Sequence, residues 1–84
     1  MDAVELPIED SIDLHAFRPG EIADLVEEYL YQAVSRGFPQ VRIIHGRGIG
    51  VQREIVHSIL KKHPMVRAFR DAADRGATVA ILAD

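Results

Sequence analysis

Residues 41–50 of this chain read Val41-Arg42-Ile43-Ile44-His45-Gly46-Arg47-Gly48-Ile49-Gly50. The first four residues are typical of a buried strand, and the glycines interrupt it before an amphipathic pattern that begins near Val51. A glycine-rich turn between a strand and a helix presents backbone N–H groups, and the helix dipole adds partial positive charge there. Arg47 adds a full charge whose planar fork fits a phosphate group. We therefore interpret this turn as a cradle for phosphate or a nucleic-acid backbone.

Outward from the turn, hydrophobic spacing predicts two helices and four strands in the order β-α-β-α-β-β. The predicted elements are a strand at Ser11–His15, a helix from Pro19 to Gly37, a strand at Val41–His45, a helix from Val51 to His63, and strands at Met65–Arg70 and Ala77–Leu82. Right-handed crossovers place the second strand beside the first, and the short turn at Arg75-Gly76 makes the fourth antiparallel to the third. The sequence therefore predicts an α/β fold, an α+β two-layer sandwich. Its mixed four-stranded sheet has the order 1-2-4-3 and carries both helices on one face.

The length of 84 residues indicates one domain, which we expect at residues 11–84 after an N-terminal arm at residues 1–10. The absence of cysteine excludes disulfides and thiolate metal sites. No apolar run approaches the roughly 18–20 residues of a membrane span, and the acidic N-terminus is unlike a signal peptide. We therefore expect a cytoplasmic protein without a membrane partner.

The net charge of −3 conceals an asymmetry along the chain. Residues 1–40 carry nine acidic and two basic side chains, whereas residues 41–84 carry four acidic and eight basic ones. The positive charge lies with the glycine-rich turn and the segments after it, which is compatible with a local basic face. In most small domains, however, such an imbalance is only solvated surface.

A second polar cluster, Asp13-Leu14-His15, ends the first predicted strand. Because the first two strands are predicted to be parallel neighbours, their carboxyl ends bring this cluster next to His45 and Gly46, where open α/β sheets bind ligands. His15 is the best candidate acid or base, since an ordinary imidazole titrates near neutrality, and Asp13 would orient it. Arg47, the amides of the turn and Arg53 would hold a phosphate and stabilise its transition state.

The two clusters together resemble the D-L-H-G and H-G-x-G motifs of the Smr (small MutS-related) domain family. Arg53 and His63-Pro64 extend a similarity that covers residues 11–82, although Ala16 stands where the family has glycine. The resemblance implies a fold like that of the C-terminal domain of translation initiation factor 3. It also implies a standalone Smr domain that binds DNA or RNA and acts as an endonuclease.

We therefore expect two groups of site residues. The expected catalytic residues are Asp13, His15 and His45, and the expected nucleic-acid or phosphate ligands are Gly46, Arg47, Gly48, Gly50 and Arg53. No cofactor is expected, although the three catalytic candidates are also a conceivable set of zinc ligands. If the site is catalytic and metal-free, RNA is the easier substrate, because its 2′-hydroxyl is already held beside the phosphorus.

Other interpretations of the same residues stay open. His45 could serve only to shape its turn, and Asp13 and His15 could be the solvated end of a strand. The site could bind nucleic acid or a ribosome without cleaving anything, or it could take a small phosphate compound such as a nucleotide. Phe17 could stack on a base or cap the core beneath the first helix.

The predicted core consists of Leu25, Tyr29, Val41, Ile43, Ile55, Ile59, Val79 and Ile81. Because the fourth strand is apolar on both sides, the sheet face without helices would expose a patch that monomers usually cover. Either a second copy in a homodimer or the strip Val4-Glu5-Leu6-Pro7-Ile8 of the arm would cover it. We favour the arm and expect residues 4–8 to be ordered against the domain or a neighbouring copy.

Overall fold

A computed structural model describes residues 8–46, 50–74 and 76–82 of the chain. The elements, in chain order, are β1 (Ser11–Asp13), α1 (Pro19–Ser35), β2 (Gln40–Ile44), α2 (Val51–Lys62), β3 (Val66–Asp71) and β4 (Ala77–Leu82). The predicted number, type and order of the elements are confirmed.

Local signals in the sequence explain where the helices begin and end. Pro19 opens α1, and the side chain of Glu21 accepts a hydrogen bond from the backbone N–H of Arg18 at 2.9 Å. After α1, Gly37 adopts a φ of 81°, a left-handed conformation that favours glycine. The last turn of α2 carries Lys61 and Lys62, which complement the negative end of the helix dipole.

The sheet has the predicted order β1-β2-β4-β3, with β1 parallel to β2 and β4 antiparallel to both of its neighbours. Strands β1 and β2 each end one or two residues before the predicted boundary. The backbone N–H of Leu14 still donates to Ile44 at 2.7 Å, but Phe17 then donates back to Leu14 at 2.9 Å and closes a turn. His15 therefore lies on a turn just beyond the sheet, while Asp13 ends the strand.

The main core lies between the sheet and the two helices, which both pack on one face of the sheet. Its buried residues are Leu14, Ile22, Val26, Tyr29, Leu30, Ala33, Val41, Ile43, Val56, Leu60, Ala80 and Leu82. Three other predicted members, Leu25, Ile55 and Ile59, pack against this cluster and are partly buried.

The prediction that Val79 and Ile81 belong to this core is wrong. In the antiparallel register Val41 faces Ala80 and Ile43 faces Thr78, so the helix-facing residues of β4 are the even-numbered ones. Val79 and Ile81 instead join a second apolar cluster on the opposite face, together with Ile44, Ala72 and Ala77.

The start of the described chain runs along the edge of the sheet. The backbone N–H of Arg42 donates to Asp10 at 2.9 Å, and the Tyr29 hydroxyl donates to the carbonyl of Glu9 at 2.6 Å. Ile8 packs against the helix-side core, whereas Val4 and Leu6 of the predicted strip lie outside the described residues. Neither helix of the described chain has the length and hydropathy needed to cross a membrane.

Candidate active site

A cleft of about 430 Å³ lies where the turn after β1, the end of β2 and the beginning of α2 meet. The residues that line it are His15, Pro19, His45, Gly46, Gly50, Val51, Gln52 and Arg53. One hydrogen bond joins its walls, and Gly46 lies close to His15. The side-chain amide of Gln52 donates to the carbonyl of Phe17 at 2.6 Å, and a Cβ atom at Gly46 would lie 3.7 Å from that of His15. The fold therefore brings His15 of the first motif and His45 and Gly46 of the second to one cleft.

Asp13 and His15 form a local pair at the mouth of this cleft. One carboxylate oxygen of Asp13 accepts both the backbone N–H of His15, at 3.1 Å, and its ring Nδ1, at 2.5 Å. The hydrogen bond from the His15 ring lowers the pKa of Asp13, and the backbone hydrogen bond acts in the same direction. The imidazole remains 66% exposed, and no described residue hydrogen-bonds its Nε2. Asp13 thus fixes the ring by one nitrogen and leaves the other available.

His45 differs from His15 because both of its ring nitrogens contact the protein. Nδ1 lies 3.0 Å from the carbonyl of Gly46, and Nε2 lies 2.9 Å from the hydroxyl of Thr78. Only 5% of the residue is exposed. This geometry favours the interpretation in which His45 shapes the turn after β2 rather than exchanging protons with a substrate.

The amino end of α2 forms the far wall of the cleft. Gly50 adopts a φ of 87° and precedes the helix, whose first-turn N–H groups have no partner within the helix. The backbone N–H of Gly46 is not free as the sequence suggested, because it and that of His45 donate to the carbonyl of Gly76 at 2.9 and 3.0 Å. Arg47 and Gly48, which were expected to bind phosphate, lie outside the described residues.

Arg53 reaches the cleft from the first turn of α2 but has an acidic partner. Its guanidinium makes two hydrogen bonds to the carboxylate of Asp71, at 2.9 and 2.6 Å. This pairing lowers the pKa of Asp71 and raises that of Arg53. The pair is partly exposed, so a phosphate could share the guanidinium with Asp71 at modest cost.

The sequence profile of the Smr domain family matches residues 12–83. The chain belongs to the Smr domain family. It is similar to the protein named Endonuclease MutS2 of Caldicellulosiruptor saccharolyticus, with 39% identity over 84 residues, 90% of this chain and 11% of that protein. For Endonuclease MutS2 of Thermomicrobium roseum, the identity is 35% over 79 residues, 89% of this chain and 10% of the relative. The chain thus spans about a tenth of the length of these relatives.

Solved structures of Smr domains share the fold. The crystal structure of the Smr domain of Thermus thermophilus MutS2 superposes with a TM-score of 0.84 and 28% identity, covering 88% of this chain and 98% of that one. The structure of YdaL, a stand-alone small MutS-related protein from Escherichia coli, gives a TM-score of 0.86 and 26% identity, covering 93% and 67%. The predicted family and fold are both confirmed.

Two residues next to the cleft of this Smr domain did not emerge from the sequence. Thr78 is fully buried in β4, and its hydroxyl lies 2.9 Å from Nε2 of both His45 and His57. Burial, together with the charge of Arg53, lowers the pKa of His57. The available signals were weak: Thr78 is the single polar residue in the strand Ala77–Leu82, and His57 follows Arg53 by one helical turn.

The zinc interpretation of Asp13, His15 and His45 finds no support in the side-chain geometry. Within residues 8–46, 50–74 and 76–82, no three or more His, Cys, Asp or Glu side chains form a group that could hold a metal ion. Asp13 is engaged with His15, while His45 turns its nitrogens to Gly46 and Thr78.

Proposed function

We propose that this Smr domain binds nucleic acid in the cleft and cleaves it endonucleolytically, with RNA as the substrate that best suits its groups. The observation that carries the proposal is the Asp13–His15 pair, an exposed imidazole held by a carboxylate at the mouth of a cleft. This arrangement is what general base catalysis needs, because the carboxylate fixes the ring and the second nitrogen stays accessible.

In the proposed reaction, Nε2 of His15 takes the proton of the 2′-hydroxyl. The 2′-oxygen then forms a bond to phosphorus, the bond from phosphorus to the 5′-oxygen breaks, and that oxygen leaves with a proton from solvent. The products are a 2′,3′-cyclic phosphate and a 5′-hydroxyl end. A single oriented imidazole suits this route, since RNA supplies its own nucleophile at high effective concentration.

The phosphate would lie against the amino end of α2. The first-turn N–H groups after Gly50 and the positive end of the helix dipole favour an anion there. Arg53 would add charge by sharing its guanidinium between Asp71 and the phosphate. Arg47 and Gly48, in the segment between β2 and α2, are further proposed ligands.

The test replaces His15 by alanine and measures cleavage and binding separately. Structured RNA, single-stranded DNA and supercoiled plasmid are incubated with and without chelator, and the ends of the products are identified. We expect wild-type protein to cut RNA in the presence of chelator and to leave 5′-hydroxyl ends. His15→Ala should lower the cleavage rate at least about 100-fold while RNA affinity persists. Cleavage of DNA alone would contradict the choice of RNA, and an undiminished rate in the variant would exclude His15 as the base.

A matched pair of arginine variants tests whether the cleft is the binding surface. Arg53→Ala removes a cation from the cleft, whereas Arg36→Ala removes one from the residue that follows α1, outside the cleft lining. RNA binding should weaken in the first variant and stay unchanged in the second. Binding that depends on Arg53, with no cleavage by the wild type, would instead indicate a non-catalytic clamp.

A further inference from the structure

We propose that Thr78 and His57 are positioning residues of this site. Through the single hydroxyl of Thr78 they hold His45 in the tautomer protonated on Nδ1, and they thereby fix the backbone of Gly46 beside His15. The tautomer is a property of the folded chain, whereas the consequence for cleavage rests on the function proposed above.

The direction of each hydrogen bond follows from which atoms carry hydrogen. The carbonyl of Gly46 can only accept, so Nδ1 of His45, 3.0 Å away, must donate. A neutral imidazole has one N–H, so Nε2 of His45 accepts, and the Thr78 hydroxyl at 2.9 Å donates to it. That hydroxyl has then used its only hydrogen, and Nε2 of His57, also at 2.9 Å, must donate to its oxygen. His45 and His57 are therefore opposite tautomers.

Burial makes this chain of hydrogen bonds specific. Thr78 is fully buried and His45 nearly so, which leaves little room for water to replace a lost partner. The ring of His57 is further held by an edge contact with Phe69, whose centroid lies 4.9 Å away. Its Nε2 also lies 3.5 Å from Asp71, the carboxylate that binds Arg53. A continuous series of contacts thus joins two residues of the cleft lining. It runs from Arg53 through Asp71, His57 and Thr78 to His45.

The effect on the site passes through the backbone at Gly46. This residue has a φ of 88°, and a Cβ atom placed there would contact His15 at 3.7 Å. The N–H of Gly46 is held by Gly76, and its carbonyl by the ring of His45. Loss of the Thr78 hydroxyl would free the His45 ring to rotate and release that carbonyl. The wall beside His15 would then shift, and displacements of about 1 Å can reduce an enzymatic rate about 100-fold.

The experiment compares Thr78→Val, which keeps the shape but removes the hydroxyl, with Thr78→Ser, which keeps the hydroxyl. Nitrogen-15 NMR of the folded chain at pH 8 reports the tautomers, and we expect hydrogen on Nδ1 of His45 and on Nε2 of His57. In Thr78→Val the His45 ring signals should change, and the RNA cleavage rate should fall about 10- to 100-fold with RNA affinity unchanged. Thr78→Ser should match the wild type in both measurements.

Controls separate this inference from a general loss of stability and from failure of the proposed function. Val26→Ala opens a gap in the core at the middle of α1, at a residue that does not line the cleft, and should leave both tautomers unchanged. If Thr78→Val does not fold, His57→Phe serves instead. It removes the N–H that donates to the Thr78 hydroxyl and should lower the cleavage rate in the same way. Hydrogen on Nε2 of His45 would overturn the inference, and so would equal RNA cleavage by Thr78→Val and Thr78→Ser when the wild type cleaves RNA. If the wild type cleaves nothing, the proposed cleavage fails while the tautomer spectra still decide the hydrogen-bond chain.

Discussion

Asp13 and His15 pair because a separation of two residues lets the aspartate side chain bind the backbone N–H of the histidine. An aspartate side chain readily accepts the N–H of the residue two positions later, as Asp13 does here from His15 at 3.1 Å. The same turn places the ring within reach of the same oxygen. A short sequence motif can therefore build this pair without any help from the rest of the fold.

His57 should make the stability of the domain depend on pH. Its pKa in the folded chain is lowered, chiefly by burial and then by Arg53, while the unfolded chain takes up a proton at about pH 6.5. The unfolded state thus binds more protons in this range, so this contribution to stability is present above about pH 6.5 and is lost as the pH falls through the lowered folded pKa. The charged and titratable neighbours that also act on the ring are Arg53, Asp71, His45 and Lys61.

Thermal unfolding at pH 8 and pH 5 checks this expectation. We expect a lower Tm at pH 5 in the wild type and a smaller difference between the two pH values in His57→Gln, which cannot titrate. Ser58→Ala, an exposed change at the next position of α2, should keep the wild-type difference. An unaltered pH dependence in His57→Gln would show that other groups are responsible.

The separation of interacting residues along the chain explains which site residues could be predicted from the sequence. Asp13 and His15 are two residues apart, and strand pairing brings Gly46 to them, so the motifs and the fold together predicted this neighbourhood. The bonds of Thr78 to His45 and His57 span 33 and 21 residues and depend on the register of β4. Sequence patterns predicted that strand but did not fix which of its faces meets the helices.

At the scale of the elements, the spacing of hydrophobic residues was sufficient to predict the buried face of the helices. It was insufficient to predict which face of β4 packs against them. The residues of α1 that face the core follow the helical spacing, whereas β4 is apolar at nearly every position and gives no alternation to follow. The orientation of β4 becomes clear only from its pairing with β2, where Val41 and Ile43 define the helix side.

Neighbouring isoleucines in β2 provide a matched test of this orientation. Ile43 is fully buried against the helices, whereas Ile44 is partly buried in the cluster on the opposite face. Ile43→Ala should lower the free energy of unfolding by about 2–5 kcal/mol, since it leaves a cavity in the main core. Ile44→Ala should cost less, roughly 1–2 kcal/mol. Urea unfolding of both variants measures the difference, and equal costs would mean that the second face is packed as tightly as the first.

At the scale of the whole molecule, the cleft depends on the edge strand β1. In the described part of the chain this strand of three residues pairs with β2 alone, whereas β2 and β4 have partners on both sides. Parallel pairing is also slightly weaker per residue than antiparallel pairing. Asp13 therefore ends a short strand at the edge of the sheet and His15 follows it, whereas the opposite wall of the cleft is the amino end of α2, a helix that packs against the main core.

We expect the three-residue edge strand β1 to open locally without unfolding of the rest of the chain. The amide of Leu14, which donates to Ile44, would then exchange with solvent during local opening. The amides of β4 would exchange only when the whole domain unfolds. Hydrogen exchange should therefore show protection at least about tenfold lower at Leu14 than in β4. Cleavage should correspondingly cease at urea concentrations at which circular dichroism still reports intact helices. Equal protection, with the same dependence on urea, would show that the edge strand and the core open as one cooperative unit.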